Sequence, residues 1–401
     1  MSATQSNMSK GEFVTLMAVL ISIVAFSIDA MLPALTQIGA DLGVHDPNDN
    51  QLVISSLFLG FAVAQIVFGP LSDSFGRKPM IYLGIAIFIG GCLLSIYGTS
   101  FSAMLTGRVL QGIGVAAPRI ICVAIVRDGY EGRGMAQIMS FIMAVFVLVP
   151  ALAPAVGQGI LLIADWRAIF WVFLAQGVIA AIWLWMRLPE TLSAENRRPF
   201  ALKRIFGAIL ETCKTRVAFG YTIAAGLIFG AFVGYLITSQ QILAEQYALG
   251  DLFPLYFGAL ALAIGGASVT NARLVQQRGM RPLCYLALYG LNGLSVVFWI
   301  YTLVMAGNPP LWIFMAYMMP AFFCLGILFG NFNALAMEPL GHIAGVAAAV
   351  IGAITTLISL SLGTAIGQAY DGTILPLISG FTFLGLAALG VMWLTERGRT
   401  D

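Results

Sequence analysis

Residues 51–99 read QLVISSLFLGFAVAQIVFGPLSDSFGRKPMIYLGIAIFIGGCLLSIYGT, which is two apolar segments on either side of a short polar one. A membrane helix needs about 20 mostly apolar residues to cross roughly 30 Å of hydrocarbon, and residues 51–71 and 79–99 meet that requirement. The segment between them is charged, and its Gly76 favours a tight turn. This stretch therefore predicts two transmembrane helices joined by a charged turn.

The rest of the chain repeats this pattern. Of its 401 residues, 60% are apolar and 9% are charged, against about 25% charged in an ordinary soluble domain, so a soluble globular protein is excluded. The turn-forming residues 97–100 divide one long apolar run, and the first window lacks a small-residue cleavage site, which predicts a retained helix. The twelve windows are 13–33, 51–71, 79–99, 101–126, 135–162, 168–187, 217–239, 251–272, 282–305, 311–336, 342–368 and 374–395.

Lys and Arg are unequally distributed between alternate loops. If the N-terminus is cytoplasmic, the inside segments carry 17 of the 20 basic residues, Arg399 among them, and the outside loops carry only Arg167. Positive residues accumulate on the cytoplasmic side of membrane proteins. The count predicts a multi-pass protein with both termini in the cytoplasm.

A polar stretch with seven basic residues, 187–216, lies near the middle of the chain. It predicts an N-terminal six-helix bundle over 1–188, a cytoplasmic linker over 189–216 and a C-terminal six-helix bundle over 217–401. Apolar residues at helical spacing in the linker predict a short helix on the inner membrane face, and a solvated tether is the alternative. These residues are Phe200, Leu202, Ile205, Phe206, Ile209 and Leu210.

The charged turn at 69–79 has a second copy 203 residues later, at 272–282. Gln276 replaces Asp73, so the copies differ chemically. This offset is typical of two six-helix halves related by duplication, with a transport pathway expected between them. The matched pairs are Leu71 with Leu274, Gly76 with Gly279, and Pro79 with Pro282.

Four segments carry recognisable motifs. They are DAMLPA (29–34), GPLSDSFGRK (69–78), RVLQGIG (108–114) and PALAPAVG (150–157), the last with Ala153 where Gly is frequent. They resemble signatures of the major facilitator superfamily and of its twelve-helix drug:proton antiporters, and with DWR (165–167) and LPET (188–191) they look most like the Bcr/CflA drug-resistance transporters. The resemblance implies an all-α integral membrane fold of twelve transmembrane helices in two pseudo-symmetric six-helix bundles. It also implies a monomer in the inner (cytoplasmic) membrane.

Three charged residues lie within the predicted spans away from the span ends: Asp29, Arg108 and Arg119. Such residues are costly in a bilayer and are usually functional. Asp29 and Arg108 both lie about 9 Å to the outer side of the midplane, so they can meet if their helices adjoin. A proton and a substrate could then compete for Asp29, as antiport requires, and the alternative is a static ion pair that locks two helices.

Arg119 follows Arg108 by 11 residues, about 1100° of helix, so both point in nearly the same direction. Arg119 has no counterpart in the family motifs. It could bind an anionic group of a substrate, and it could equally pair with backbone carbonyls or reach the inner interface. Gln111, one turn from Arg108, can hydrogen-bond a substrate or the facing helix.

The resemblance implies that charges at the inner ends of the second, third and fourth helices latch the two halves in the outward-open state. For the neighbouring Lys78, the positive-inside rule is a sufficient explanation. In the fifth span, Pro150 and Pro154 remove backbone donors and Gly157 permits close approach, which predicts a kinked, closely packed helix between the halves. The predicted gating residues are Gly69, Asp73, Gly76, Arg77, Arg127 and Asp128.

Polar and aromatic residues in the seventh and tenth spans are further candidates to line a substrate cavity, with ordinary packing as the alternative. The full predicted substrate-binding set is Asp29, Gln111, Arg119, Tyr235, Gln240, Phe329, Asn331 and Asn333.

Several functional classes are not supported by the sequence. A net charge of +2 gives no indication of nucleic-acid binding, and two His and five Cys without ligand spacing predict no metal or cofactor. No GxxxxGK[ST] loop is present, so ATP hydrolysis is not expected, and no clustered nucleophile and base predicts another enzyme activity. The duplicated halves favour alternating access over a channel.

The sequence predicts a proton-coupled exporter of drugs or other small amphipathic compounds, with the substrate, protons and the lipid bilayer as partners. The alternative is an exporter or facilitator of a specific metabolite or organic anion.

Overall fold

A computed structural model describes residues 8–197 and 199–397, so Arg198 and Arg399, both counted above as inside charges, lie outside the described residues. Within these ranges the chain consists of helices and connecting turns without a strand. The α-helices are α1 (Lys10–Asp29), α2 (Leu35–Asp41), α3 (Leu52–Phe75), α4 (Arg77–Tyr97), α5 (Phe101–Gly129), α6 (Gly132–Leu161), α7 (Arg167–Arg187), α8 (Leu202–Lys214), α9 (Arg216–Ser239), α10 (Phe253–Arg278), α11 (Met280–Val304), α12 (Leu311–Met337), α13 (Ala344–Gln368) and α14 (Leu375–Glu396).

Eleven segments of the described chain are long and apolar enough to cross a membrane. The longest, Leu311–Gln368, contains both α12 and α13, which the 3₁₀ segment Glu338–Ile343 connects without a gap. The backbone leaves helical geometry at Leu340 (φ −108°, ψ 20°), and this divides the segment into two helices. All α-helices except the short α2 and α8 therefore belong to the twelve predicted spans. The chain is a multi-pass membrane protein.

Local sequence explains where these helices begin and end. The predicted turn at 97–100 separates α4 from α5, and the hydroxyl of Ser100 accepts a hydrogen bond from the backbone N–H of Ala103 (3.2 Å). Such a cap satisfies a donor that has no partner inside the helix. The first span differs from its prediction, because α1 ends at Asp29 and Pro33 lies in a 3₁₀ turn, Leu32–Ala34. Proline lacks the N–H that an α-helix interior requires.

The described chain divides into two compact units. The first contains residues 8–45 and 56–206, and the second contains residues 46–55 and 207–397. The boundary falls inside α8, within the stretch predicted to be the linker. The start of α3 groups with the second unit.

In the first unit, α4 and α5 pack through glycines. A Cβ added to Gly114 would lie 2.5 Å from the carbonyl oxygen of Gly84, and one added to Gly91 would lie 2.6 Å from that of Gly107. Helices in a membrane associate through such small residues, which let their backbones approach closely. Gly107 and Gly114 flank Arg108 on α5, so this packing fixes the depth and direction of the buried cation.

In the second unit, α9 packs against α13 in the same manner. Gly226, Gly230 and Gly234 lie one turn apart on α9, and a Cβ on each would lie 2.8–3.1 Å from a side chain of α13. The three facing side chains are Ile358, Leu362 and Ile366. The packing positions Tyr235, which follows the last of these glycines.

Candidate proton-coupling, substrate and gating sites

Arg108 is fully buried on α5 and is held by α1 and by its own helix. Its Nη2 donates to the carbonyl oxygen of Ser27 (2.9 Å), and its Nη1 donates to Oε1 of Gln111 (2.7 Å). The ring of Phe170 on α7 lies 6.0 Å from the guanidinium carbon. These contacts bring the guanidinium to the last turn of α1, the turn that carries Asp29.

Asp29 ends α1 and is 4% exposed. Among the described residues it forms no ion pair, so the static Asp29–Arg108 pair is not formed in this conformation. A buried carboxyl without a cationic partner can bind a proton or a substrate cation.

Gln111 is also fully buried, and its amide is engaged at both ends. While Oε1 accepts from Arg108, Nε2 donates to the hydroxyl of Ser95 (3.0 Å), which in turn donates to the carbonyl of Gly91 (3.0 Å). This chain of hydrogen bonds connects α5 to α4. In this structure Gln111 positions Arg108, and its contact with a substrate stays a prediction.

Arg119 lies further along α5 and is partly exposed. Its guanidinium carbon lies 5.2 Å from the ring centre of Phe146 on α6. No ion pair to Arg119 is formed within the described part of the chain. The aromatic face orients the cation and leaves its charge without a carboxylate partner.

Arg77 is the centre of a charged cluster in the first unit. It is 3% exposed, and its guanidinium bonds Asp73 (2.5 Å, from Nη1) and Asp128 (2.9 Å, from Nε). Nη1 also donates to the hydroxyl of Ser72 (2.8 Å). The cluster joins the end of α3 and the end of α5 to the start of α4.

Glu190 completes this cluster and was not predicted. Its carboxylate accepts hydrogen bonds from the backbone N–H groups of Arg77 (2.9 Å) and Lys78 (3.0 Å), and so caps the N-terminus of α4. A carboxylate there is favoured by the unpaired donors and by the helix dipole. Gly76 has a positive φ of 105°, and a Cβ at this position would lie 2.8 Å from Oε2 of Glu190. The LPET segment was a family signal, but sequence spacing gave Glu190 no partner.

Two predicted gating residues lie apart from the cluster. Arg127 is exposed and, among the described residues, forms no ion pair. Adjacent residues on a helix point about 100° apart, so Asp128 and Arg127 cannot both face Arg77. A Cβ on Gly69 would come no closer than 4.0 Å to Ile120, so its role in gating stays a prediction.

The fifth-helix motif packs against the site of Asp29. The helix α6 runs from Gly132 to Leu161 through Pro150 and Pro154. A Cβ on Gly157 would overlap the carbonyl oxygen of Ala30, the residue after Asp29. Glycine at this position therefore sets the separation of α6 from the end of α1.

The aromatic candidates lie in the second unit. Tyr235 on α9 is buried, stacks on Phe257 (5.7 Å between ring centres) and meets the edge of Phe322 (4.8 Å). Phe329 on α12 is partly exposed and contacts Phe229 (5.1 Å) and Phe232 (5.5 Å). The structure thus places both residues in aromatic clusters and leaves part of Phe329 accessible.

The amide candidates are separated from one another. Asn331 is buried and exchanges two hydrogen bonds with Asn271 on α10 (2.8 and 3.2 Å), while Asn333 is exposed. Gln240 lies beyond α9 in a π-helical segment, Gln240–Gln246, and its Nε2 donates to Glu245 (3.1 Å). The structure does not bring these three amides together.

A group of polar residues in the second unit, the amide cluster, was missed by sequence analysis. It consists of Asn48, Gln51, Gln241, Gln368 and Tyr370. Nε2 of Gln51 donates to Oε1 of Gln241 (2.5 Å), and Nε2 of Gln241 donates to Oδ1 of Asn48 (3.0 Å). Asn48 also donates to the carbonyl of Tyr370 (2.8 Å), and Gln368 donates to the carbonyl of Asn48 (3.0 Å). The cluster attaches the segment before α3 to the ends of α9 and α13.

Tyr370 adds a further donor to the amide cluster. Burial and, to a smaller extent, Glu245 raise the pKa of Tyr370 to about 12, so its hydroxyl stays protonated. The hydroxyl lies within hydrogen-bond distance of two acceptors, the carbonyl of Gln241 (3.4 Å) and Oε1 of Gln246 (3.3 Å), and its single proton is donated to one of them at a time. The cluster thus contains no charged side chain. Elsewhere in the described residues, no group of three or more His, Cys, Asp or Glu side chains could hold a metal ion.

Comparison with known proteins agrees with a multi-pass membrane protein. Residues 16–368 match the family model described as Major Facilitator Superfamily. The chain is 30% identical over 399 residues to a bicyclomycin resistance protein homolog of Haemophilus influenzae, covering 96% of each chain. It is 26% identical over 378 residues to multidrug resistance protein D of Escherichia coli, covering 90% of each.

Solved structures share the fold at low sequence identity. The chain is 15% identical to the xylose transporter XylE of E. coli in a partially occluded inward-open conformation, with a TM-score of 0.71 and coverage of 97% and 99%. The human organic anion transporter MFSD10 gives a TM-score of 0.70 at 15% identity and the same coverage.

Proposed function

Because the chain belongs to the major facilitator superfamily of membrane transporters, we propose that it exports drugs or other small amphipathic compounds in exchange for protons. The observation that carries the proposal is the buried carboxyl of Asp29, which lies two residues beyond the backbone contact of Arg108 and has no ion-pair partner among the described residues. Relatives named for bicyclomycin and multidrug resistance support drugs as the cargo.

Antiport needs one group that a proton and a substrate use in turn. Asp29 meets this requirement because it is the only acid in the apolar part of the predicted spans. Arg108 is anchored by Ser27 and Gln111, so it supplies a fixed positive charge near the end of α1. A change in hydration at this end alters the balance between the proton-bound and ionised forms of Asp29. Alternating access would provide that change.

We further propose that the protein is a monomer in the inner membrane, with both termini in the cytoplasm. The 17-to-1 distribution of basic residues supports the orientation. The mechanism requires no cofactor and no enzymatic step.

The test is proton-driven transport in proteoliposomes with Asp29→Asn. The variant should fold and should lose uphill export and substrate-dependent proton movement, while downhill counterflow persists. Asp41→Asn is a matched control, because Asp41 is an acid outside the apolar part of the first span and accepts from Trp166 (2.9 Å). Uphill transport by Asp29→Asn at the wild-type rate would overturn the proposal.

A second candidate function is export of an organic anion or a specific metabolite. It is favoured by Arg119, whose charge faces an aromatic ring and no carboxylate among the described residues. Counterflow with a panel of cationic, neutral and anionic compounds separates the two functions. Transport confined to one anion would favour the second.

A further inference from the structure

We propose that α8 and the start of α9 form a binding site for an anionic phospholipid of the inner leaflet. The proposal is independent of the transported substrate. It begins with the two faces of α8. Ile205, Ala208 and Thr212 are buried, whereas Phe206 and Leu210 are 68% and 55% exposed.

The exposed face of α8 has the chemistry of a membrane surface helix. Phe206 and Leu210 lie one turn apart and form an apolar stripe, and the exposed Lys203 and Lys214 flank it. Apolar stripes with basic flanks bind anionic leaflets through buried area and charge together. Only Thr215 separates α8 from the membrane-spanning α9, so the stripe lies close to the level at which α9 enters the bilayer.

A shallow depression lies between α9 and α14. Arg216, the first residue of α9, contributes to its lining, and the rest of the lining is almost wholly apolar. Nη2 of Arg216 donates to the backbone carbonyls of Leu394 and Arg397, the latter at 2.7 Å. Its Nε and Nη1 have no hydrogen-bond partner among the described residues. The other lining residues are Phe219, Gly220, Val391, Leu394 and Thr395.

An apolar depression lined by one guanidinium, at the start of α9, matches an acyl chain joined to a phosphate. The guanidinium has a planar arrangement of donors that suits phosphate oxygens. Trp393 on α14 is exposed, and Arg397 lies 5.1 Å from its ring centre. Trp and Arg at a helix end are typical of the membrane–water interface. The depression therefore opens at the level of the lipid headgroups.

Cys213 provides a direct probe of this placement. It is exposed one turn beyond Leu210, whereas Cys92, Cys122 and Cys284 are buried, and Cys324→Ser removes the partly exposed fifth thiol. The full chain, labelled at Cys213 with an environment-sensitive fluorophore, is reconstituted in phosphatidylcholine vesicles with and without phosphatidylglycerol. We expect a blue shift and quenching by spin-labelled lipid, both larger with phosphatidylglycerol. Quenching by aqueous iodide and not by spin-labelled lipid would overturn the proposal in favour of a solvated tether.

Lipid retention tests the charge requirement. Native mass spectrometry of protein released from mixed nanodiscs should show phosphatidylglycerol enriched over phosphatidylcholine in the wild type. Lys203→Gln with Lys214→Gln should reduce the enrichment by about fivefold or more. Arg216→Gln should also reduce it, and Arg216→Lys, which keeps the charge and loses the planar donors, should reduce it less. Arg273→Gln with Arg278→Gln is the matched control, since both residues are exposed at the end of α10. An equal loss in this control would overturn the proposal, because net charge alone would then account for retention.

Discussion

Arg108 donates a hydrogen bond to the backbone carbonyl of Ser27, two residues before Asp29, and not to the carboxylate itself. The buried cation is therefore held by the α1 backbone and by Gln111 through contacts that do not involve the carboxyl of Asp29. These two contacts can persist when the acid changes charge.

We expect Arg108→Lys to fold but to lose most proton-coupled transport. Lysine keeps the charge, but its single ammonium cannot reproduce the planar arrangement that reaches both Ser27 and Gln111. Hydrogen bonds to charged groups contribute about 1.5–3 kcal/mol, so loss of one predicts roughly a tenfold decrease in rate or more. Initial efflux rates at equal amounts of folded protein measure it. A wild-type rate in Arg108→Lys would show that only charge is required.

The contrast between Asp128 and Arg127 gives a second prediction. Asp128→Asn removes a charged partner of Arg77. If the Arg77 cluster is part of the latch that the family resemblance implies, the variant should favour conformations in which the predicted cytoplasmic ends of the two halves are further apart. Arg127→Gln should leave the distribution unchanged, since this side chain is exposed. The distance between spin labels at Gln137 on α6 and Gln277 on α10 measures the separation of these ends. An equal response of both variants would mean that the charge of this region matters and the cluster geometry does not.

The amide cluster gives a third prediction. Gln51→Ala removes bonds to Gln241 and to the carbonyl of Gly367 (2.5 and 3.1 Å). Each neutral hydrogen bond contributes about 0.5–1.5 kcal/mol, so the conformational equilibrium should shift by roughly 5- to 150-fold. α3 begins in the second unit and continues in the first, so weaker attachment of its start should loosen the first unit from the second. We therefore expect a longer distance between a spin label at Ala40, in the first unit, and one at Leu252, in the second.

Gln276→Ala is the control for this third prediction, since Gln276 is exposed and lies in α10, away from the cluster. An unchanged Ala40–Leu252 distance in Gln51→Ala would contradict a role of the amide cluster in conformational change.

Two glycines of α6 give a fourth prediction. Gly157→Ala should lower thermal stability and transport, because its Cβ would overlap the carbonyl of Ala30 and move α6 away from α1. Gly159→Ala should leave stability unchanged or raise it by up to about 1 kcal/mol, since the position is open and alanine favours a helix. Thermal unfolding in detergent compares the two. Similar losses in both would indicate a general intolerance of α6 to substitution.

The fold was more predictable from sequence than the site. Apolar windows locate the helices because a bilayer imposes their length, and Gly76 and residues 97–100 mark turns through local backbone chemistry. Sequence analysis placed Asp73 and Arg77 in the predicted gating set without pairing them, although the two residues are only four apart on the chain. Glu190 and the amide cluster were missed because their partners are remote, 113 residues for Glu190 and Arg77 and 190 for Gln51 and Gln241. Helical register also could not decide which of Arg127 and Asp128 faces Arg77.

Arg119 gives the fifth prediction, which concerns the charge of the substrate. Arg108 and Arg119 lie on one helix, and an ionised Asp29 neutralises only one of these two charges. The resulting positive field should disfavour permanent cations and admit neutral or anionic compounds.

Arg119→Ala should raise the apparent KM for anions about tenfold or more, which corresponds to the loss of one charged hydrogen bond. The apparent KM for neutral compounds should change little in Arg119→Ala. These compounds lose only a contact with the guanidinium face that points away from Phe146. Arg119→Lys keeps the charge and should fall between Arg119→Ala and the wild type. Efflux from proteoliposomes with matched anionic, neutral and quaternary ammonium compounds measures the three effects. Equal losses for all substrates would assign Arg119 a structural role, and strong export of quaternary ammonium dyes that Arg119→Ala leaves unchanged would refute the prediction.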